Sequence, residues 1–121
     1  MSQAAAPLFD SWESVLAFAL TLPDTEESTS YGRPAVKVRS KAFVYPGREQ
    51  GSFAISCPLD EKELLMETDP ETFWETDHYR GWPAVLVRYR SSERDRIETV
   101  IQRAWWDRAS KAQRTGFGGR P

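Results

Sequence analysis

The segment from Thr76 to Pro83 holds the only histidine of the chain and the densest group of side chains that could do chemistry. It places an acid, a histidine, an arginine and two aromatic rings within eight positions. Loops of this composition are usually structural anchors or binding sites. Two interpretations of His78 stay open. It is either a loop histidine hydrogen bonded to a backbone carbonyl or to Asp77, or a donor for phosphate or another small anion. For Trp82 the structural interpretation is packing beneath the sheet.

These residues lack the neighbouring groups that a catalytic role would need. A Ser-His-Asp arrangement requires an orienting acid and a nearby serine, but consecutive residues of an extended segment, such as Asp77 and His78, point to opposite sides. Cys57 has no basic neighbour in sequence that would lower its pKa, so we predict a buried, structural thiol. We therefore predict that the protein is not an enzyme.

Metal and cofactor sites are equally poorly supported. One histidine and one cysteine exclude a site rich in nitrogen or sulfur ligands, and no glycine-rich phosphate loop is present. An all-oxygen site in the acidic region lacks the periodicity of a calcium loop, and a solvated helix face explains these acids better. We predict no metal and no cofactor. The acids concerned are Glu61, Glu63, Glu67, Asp69 and Glu71.

The basic residues fall into two blocks, although the formal net charge is -2. Residues 31–48 carry five bases and no acid, and residues 78–121 carry ten bases against four acids. A net negative charge argues against nonspecific nucleic-acid binding. If the basic strands are neighbours, however, their side chains could form one cationic surface among aromatic rings, as phosphate contact and base stacking require. The alternative is charged helix faces and strand edges that keep the protein soluble.

The elements that position these residues follow from capping signals and periodicity. Capping boxes predict helix starts at Asp10 and Asp60, and Asp69-Pro70 predicts a short further helix. Alternating residues and turn signals predict a three-stranded antiparallel meander and one later strand. The predicted elements are helix 10–21, strands 35–39, 42–45 and 52–57, helix 60–68, a short helix from 69, strand 84–90 and helix 93–111.

The order α-β-β-β-α-(short α)-β-α predicts an α+β fold, with an antiparallel sheet and helices packed mainly on one face. A length of 121 residues predicts one domain, 9–112, between a flexible N-terminal arm, 1–8, and a flexible C-terminal tail, 113–121. No segment resembles a signal peptide or a membrane span. We expect a cytoplasmic monomer without membrane contact.

Several segments together resemble the MmcQ/YjbR family, from about Leu16 to Trp105. The strongest match is Thr76-Asp77-His78-Tyr79-Arg80-Gly81-Trp82-Pro83 with Val85-Leu86-Val87. The others are Glu26-Glu27-Ser28-Thr29-Ser30-Tyr31-Gly32-Arg33-Pro34-Ala35-Val36-Lys37-Val38, Lys41-Ala42-Phe43 and Asp69-Pro70-Glu71-Thr72-Phe73. The resemblance implies a small bacterial α+β protein of a family commonly labelled DNA-binding, with no cofactor and no catalysis. That label rests on a double-wing arrangement. Here the wings would be the hairpin around Arg39-Ser40-Lys41 and the loop from Asp77 to Pro83.

Two hypotheses of function follow. The first is a nonenzymatic DNA-binding protein, and the second is a module that binds a small ligand, a small anion or a protein partner between loops 27–34 and 76–83. The nucleic-acid contacts would come from Arg33, Lys37, Arg39, Lys41, Arg80, Arg88 and Arg90, with Tyr79 and Trp82 either stacking on bases or shaping the binding surface. The pocket would be lined by Tyr31, His78, Tyr79 and Trp82. Scattered basic groups and a pocket lined by both loops would favour the second hypothesis.

Overall fold

The helices and strands of the chain follow the predicted order with two additional strands and a divided last helix. The computed structural model describes residues 7–48 and 50–121, so the first six residues of the predicted arm, 1–8, lie outside the described part. The elements are α1 (Trp12–Ala19), β1 (Thr25–Ser30), β2 (Arg33–Val38), β3 (Lys41–Pro46), β4 (Ser52–Ser56), α2 (Leu59–Thr68), β5 (Phe73–Trp74), β6 (Ala84–Arg88), α3 (Arg94–Arg108) and α4 (Lys111–Phe117).

A six-stranded antiparallel sheet runs in the order β1-β2-β3-β4-β6-β5, which confirms the predicted α+β class. Strands β1 to β4 form a meander of four strands, one more than predicted. The additional strand, β1, lies in a segment that lacks alternation of apolar and polar residues, so the sequence did not predict a strand there. Its backbone pairs with β2 from Thr25 opposite Val38 to Ser30 opposite Arg33.

One face of the sheet carries the main hydrophobic core. Val36, Phe53, Ile55, Val85 and Val87 lie in a single buried cluster with apolar residues of α1, α2 and α3. At a bulge in β3, where Val36 pairs with Val44 and the next residue pairs with Ala42, both Phe43 and Val44 enter this cluster. The predicted stripe of α3 is buried as expected, and it comprises Ile97, Val100, Ile101, Ala104, Trp105 and Ala109. The helices therefore pack mainly on one face, as predicted.

The second face of the sheet is covered by a loop instead of a helix. A smaller buried cluster joins Ala54, Ala84 and Leu86 of the sheet to Tyr79 of the loop 76–83. Tyr45 and Trp74 pack at its margin. Within the loop, Asp77–Tyr79 forms one turn of 3-10 helix. This loop is therefore the second layer on a face that the helices leave open.

The helix starts differ from the predicted capping boxes. In α1 the box is formed by Ser11 and Ser14, each side chain accepting from the other residue's amide, at 3.3 and 3.2 Å. Asp10 lies one position too early for this role. Helix α2 begins after Pro58 without a side-chain cap, and the Asp60 carboxylate accepts from the adjacent Glu61 amide at 2.9 Å. The predicted boxes at Asp10 and Asp60 are therefore wrong.

The predicted short helix after Asp69 is a turn followed by a strand. Asp69 ends α2, and its carbonyl accepts from the amides of Thr72 and Phe73 at 3.2 and 3.0 Å. The chain then enters β5, where Phe73 pairs with Val87. Pairing with β6 places the Phe73 side chain in the core, and a helical turn would not provide this pairing.

The predicted last helix is divided in two. Glu93 takes the N-cap position without a side-chain bond, while the hydroxyl of Ser91 accepts from the Glu93 amide. Helix α3 ends at Arg108, and a capping box at Ser110 starts α4. The divided helix turns the chain back onto the core.

The segment predicted as a C-terminal tail has contacts of its own. Residues 113–117 belong to α4, and the ring of Phe117 lies 4.9 Å from that of Trp105. Arg120 pairs with Asp107 and Glu61 at 3.0 and 3.1 Å. Its predicted flexibility stays a prediction. Among the described residues, no helix is both long and apolar enough to cross a bilayer.

Two neighbouring leucines of α2, Leu64 and Leu65, test this packing. Leu65 is 3% exposed in the main core, whereas Leu64 is 57% exposed. We expect Leu65→Ala to lower the free energy of unfolding by about 2–5 kcal/mol, and Leu64→Ala to change it by less than about 0.5 kcal/mol. Urea unfolding monitored by tryptophan fluorescence measures both, and equal effects would contradict the described position of α2.

Candidate functional site

A buried lysine attaches the loop 76–83 to helix α2. Lys62 is 2% exposed, and its ammonium donates to the carbonyls of Tyr79 and Trp82 at 2.7 and 2.9 Å. It also pairs with the Glu75 carboxylate at 2.8 Å. An ammonium has three donors, so every donor has a partner, which is the condition for burying a lysine at all. In sequence Lys62 is the only base of residues 49–77, a position typical of a solvated helix face.

A second set of contacts attaches the loop to the turn between β3 and β4. The buried side chain of Tyr79 packs on the second sheet face, and its hydroxyl accepts from the Arg48 amide at 3.3 Å. Nε2 of His78 lies 3.3 Å from Nη1 of Arg48. Because a guanidinium only donates, this contact requires His78 to accept. The contact found for His78 is thus with Arg48 and not with either predicted partner, and Asp77 pairs instead with Arg80 at 2.7 Å.

These contacts enclose a cavity of about 310 Å³ between the β1–β2 turn, the end of β3 and the loop 76–83. Its volume lies at the lower end of the range of roughly 300–1,000 Å³ found for small-molecule sites. The cavity is lined by Ser30, Tyr31, Arg33, Pro34, Tyr45, Pro46, Arg48, His78, Tyr79 and Trp82. The structure thus brings together all four residues of the predicted pocket and both predicted loops.

The four residues differ in their position within the cavity. Tyr79 is buried and forms part of its wall, so it cannot stack on a base. Tyr31 and Trp82 are 103% and 59% exposed, so the interpretation of Trp82 as packed beneath the sheet is wrong. His78 is also exposed, and its ring lies edge-on to Tyr79 at a centroid distance of 5.0 Å.

The pocket also contains residues that the sequence did not assign to it. Arg33 was predicted to contact nucleic acid, and here it donates to the Gly47 carbonyl at 3.2 Å beside the cavity. Arg48 was only one member of a basic block, and Tyr45 only a strand residue. Alternation could not reveal Tyr45, because the bulge in β3 turns both Phe43 and Val44 toward the core and leaves Tyr45 on the opposite face.

The electrostatics of the pocket favour negative charge. Two guanidinium groups line it, and no carboxylate appears among its described lining residues. Burial raises the pKa of the Tyr45 hydroxyl, the nearby Tyr79 raises it further, and Trp82 acts in the opposite direction. The Tyr45 hydroxyl therefore stays protonated at neutral pH and can donate a hydrogen bond.

The remaining predicted nucleic-acid contacts do not join into one surface. Lys37 pairs with Ala42 near the β2–β3 turn, whereas Arg88 pairs with Ser52 at the opposite end of the sheet. Their strands are separated by β3 and β4, which is three strand spacings or about 14 Å. Arg39 lies in the β2–β3 turn, and Lys37 and Lys41 lie beside it. The other three lie elsewhere: Arg80 beside Asp77, Arg88 at 4.2 Å over the Trp74 ring, and Arg90 in the turn after β6.

A second and larger cavity, of about 730 Å³, lies between α2 and α3. Cys57 lines it and is buried, as predicted, and burial followed by the charge of Glu61 raises the pKa of its thiol to about 12. Glu61 accepts there from Arg103 and Arg120 at 3.2 and 3.1 Å. Cys57 and His78 thus line different cavities. Among the described residues, no three acidic, histidine or cysteine side chains converge as metal ligands would.

The sequence of this chain matches a known protein family. The YjbR family model matches residues 20–106, which include both pocket loops and Lys62. The chain belongs to the YjbR family. The predicted resemblance is therefore confirmed.

Two relatives of this YjbR protein have 30% identity to it over 115 residues. They are the uncharacterised protein Rv2570 of Mycobacterium tuberculosis and the uncharacterised protein Mb2600 of Mycobacterium bovis. Each alignment covers 83% of this chain and 89% of the relative. No solved structure gives a significant match.

The attachment of the loop in this YjbR protein predicts the effect of removing its lysine. Lys62→Met leaves two carbonyls and Glu75 without their donor. We expect a loss of about 2–4 kcal/mol in the free energy of unfolding, less than for a fully buried pair because Glu75 is 26% exposed. Amide exchange at 79–82 should accelerate more than exchange in β4. Lys41→Met, at an exposed turn, is the control. A Lys62→Met protein whose loop exchanges at the wild-type rate would contradict this role.

The position of Cys57 predicts an unreactive thiol. Its folded-state pKa of about 12 lies above the ordinary value of 9.0, so this group lowers stability only as the pH rises above about 9. At pH 8 we expect alkylation of the native protein to be at least roughly 100-fold slower than that of the urea-unfolded protein. Mass spectrometry of timed iodoacetamide reactions measures both rates, and similar rates would contradict the described burial.

Proposed function

We propose that this YjbR-family protein is a nonenzymatic cytoplasmic protein that binds a small anion in the pocket between the β1–β2 turn and the loop 76–83. The observation that supports this proposal most directly is the pair of guanidinium groups, Arg33 and Arg48, on one cavity. The described lining residues of that cavity include no carboxylate.

The neighbours of the two arginines leave their charges available. Arg33 donates to a backbone carbonyl and Arg48 contacts the His78 ring, so neither of these contacts is with a carboxylate. Guanidinium groups recognise phosphate and carboxylate through paired hydrogen bonds. The Tyr45 hydroxyl is a further donor at the same cavity. An anion would therefore gain charge-assisted hydrogen bonds without displacing an internal ion pair among the described residues.

The surroundings of His78 and Cys57 support binding without catalysis. A general base needs a proton of the substrate or of a nucleophile within hydrogen-bond reach. The His78 nitrogen instead faces the Arg48 guanidinium, and Cys57 lines the other cavity. We therefore assign both residues to binding and packing.

DNA binding is a second candidate, supported by the β2–β3 turn. Lys37, Arg39 and Lys41 lie within five positions of this hairpin, and the last two are exposed. Such a group can contact phosphates of a duplex. It ranks second because Trp82 and Tyr31, the exposed rings, line the pocket near the β1–β2 turn and not this end of the sheet.

Matched pairs of variants distinguish the two candidates. We expect inorganic phosphate to shift amide resonances around 30–34, 45–48 and 78–82 in NMR titrations. Arg33→Ala and Arg48→Ala should each weaken binding roughly 10- to 100-fold, the loss expected for a charge-assisted hydrogen bond. Lys37→Ala combined with Lys41→Ala should leave phosphate binding unchanged.

Titration of a short DNA duplex at low salt provides the second arm of this experiment. Duplex binding that the Lys37/Lys41 pair abolishes, without any phosphate response in the pocket, would favour the second candidate and overturn the first. Phosphate shifts that persist in the Arg33/Arg48 double variant would also count against the pocket.

A further inference from the structure

Tyr31 occupies a backbone position that does not suit it. It lies at the tip of the hairpin between β1 and β2, with φ +52°, and Gly32 follows with φ +77°. Two-residue hairpin turns with both φ values positive strongly favour Asn-Gly or Asp-Gly. A bulky aromatic residue at the first position is a steric outlier. Strained residues of this kind concentrate at functional sites, so the side chain rather than the turn gives a reason for a tyrosine here.

The ring of Tyr31 has no packing role in the described structure. It is 103% exposed and lines the same cavity as Trp82, which is 59% exposed. Large aromatic rings that remain in water at the rim of a cavity are available to stack on a planar ligand. Pro34, Pro46 and the wall residue Tyr79 add apolar surface to the same cavity.

The cationic and aromatic groups of this cavity complement two different chemical groups. Arg33 and Arg48 complement an anionic group, while Tyr31 and Trp82 complement a flat ring. A volume of about 310 Å³ leaves room for one ring system and one anionic group, and not for a chain of several nucleotides. A simple inorganic anion would leave the two exposed rings without a partner.

We propose that the pocket recognises a planar heteroaromatic ring joined to a single anionic group, the chemistry of a nucleoside monophosphate. This inference rests on the proposed function and specifies its ligand. The ring stacks at Tyr31 and Trp82, and the phosphate pairs with Arg33 and Arg48. Such a unit can be a free mononucleotide or the terminal nucleotide of an unpaired strand.

The test uses the full chain and three probes: adenosine 5′-monophosphate, adenosine and inorganic phosphate. Isothermal titration calorimetry gives each affinity. We expect the monophosphate to bind more tightly than either fragment, because only it contacts both the rings and the arginines.

The Tyr31→Asn variant distinguishes an effect on ligand binding from an effect on the stability of the fold. Asn-Gly is preferred in this turn, so the melting temperature should stay unchanged or rise. Affinity for the monophosphate should nevertheless fall roughly 5- to 150-fold, the range that corresponds to loss of one base–aromatic stack. Trp82→Leu should cause a similar loss, while Tyr31→Phe, which keeps the ring, should bind within about twofold of the wild type.

The outcomes distinguish this inference from the function on which it rests. If phosphate alone binds as tightly as the monophosphate and its binding depends on the two arginines, recognition of the ring is contradicted and the anion pocket is retained. If the Tyr31→Asn and Trp82→Leu variants bind the monophosphate with wild-type affinity, stacking of the ring at these two residues is likewise contradicted. If no probe binds, both the ring recognition and the anion pocket are contradicted. If adenosine binds as tightly as the monophosphate, the anion pocket is contradicted, and with it the combined ligand, while stacking of the ring is retained.

A final arm assigns the source of the nucleotide. A single-stranded oligonucleotide with a 5′-phosphate that binds more tightly than the monophosphate, with the same sensitivity to Tyr31→Asn, supports a strand end. Weaker binding of the oligonucleotide than of the monophosphate supports the free ligand.

Discussion

The buried ammonium of Lys62 is the interaction on which the second face of this protein depends. A lysine can be buried only when its charge and its three donors are all satisfied. Here α2 presents the ammonium to Glu75 and to two carbonyls of the loop 76–83. The cost of burying the charge thus enforces the path of the loop. The loop then delivers Tyr79 to the small cluster on the sheet and His78 to the turn after β3.

The two faces of the sheet are therefore covered in different ways. The helix-covered face contains nearly all of the large core, including the stripe of α3. The loop-covered face has a core of four buried residues and leaves room beside it for a cavity. A face closed by a loop can keep polar and aromatic groups at its margin, whereas a helix packed across it would bury or displace them. Because most of the core lies on the other face, the cavity can be lined by strained and exposed residues.

The sequence predicted what periodicity controls and missed what long-range contacts control. The stripe of α3 and the meander from Val36 to Ile55 follow from repeating apolar positions. Strand β1 has no such pattern, because its backbone pairing with β2 holds it in place. No sequence pattern marks Lys62 as buried, because its partners, Glu75 and the loop carbonyls, are distant in sequence. The pocket could be predicted from the residue types of its two loops, but Arg48 joins it through contacts that only the folded chain makes.

The composition of β1 also determines how the sheet ends. An outermost strand exposes unpaired amides and carbonyls that can recruit another chain. Strand β1 consists wholly of serine, threonine and glutamate, and two glutamates repel a second copy laid alongside it. The opposite margin, β5, is only two residues long and offers little length for pairing. The polar composition of β1, which gives no strand pattern in the sequence, thus protects the sheet against edge-to-edge aggregation.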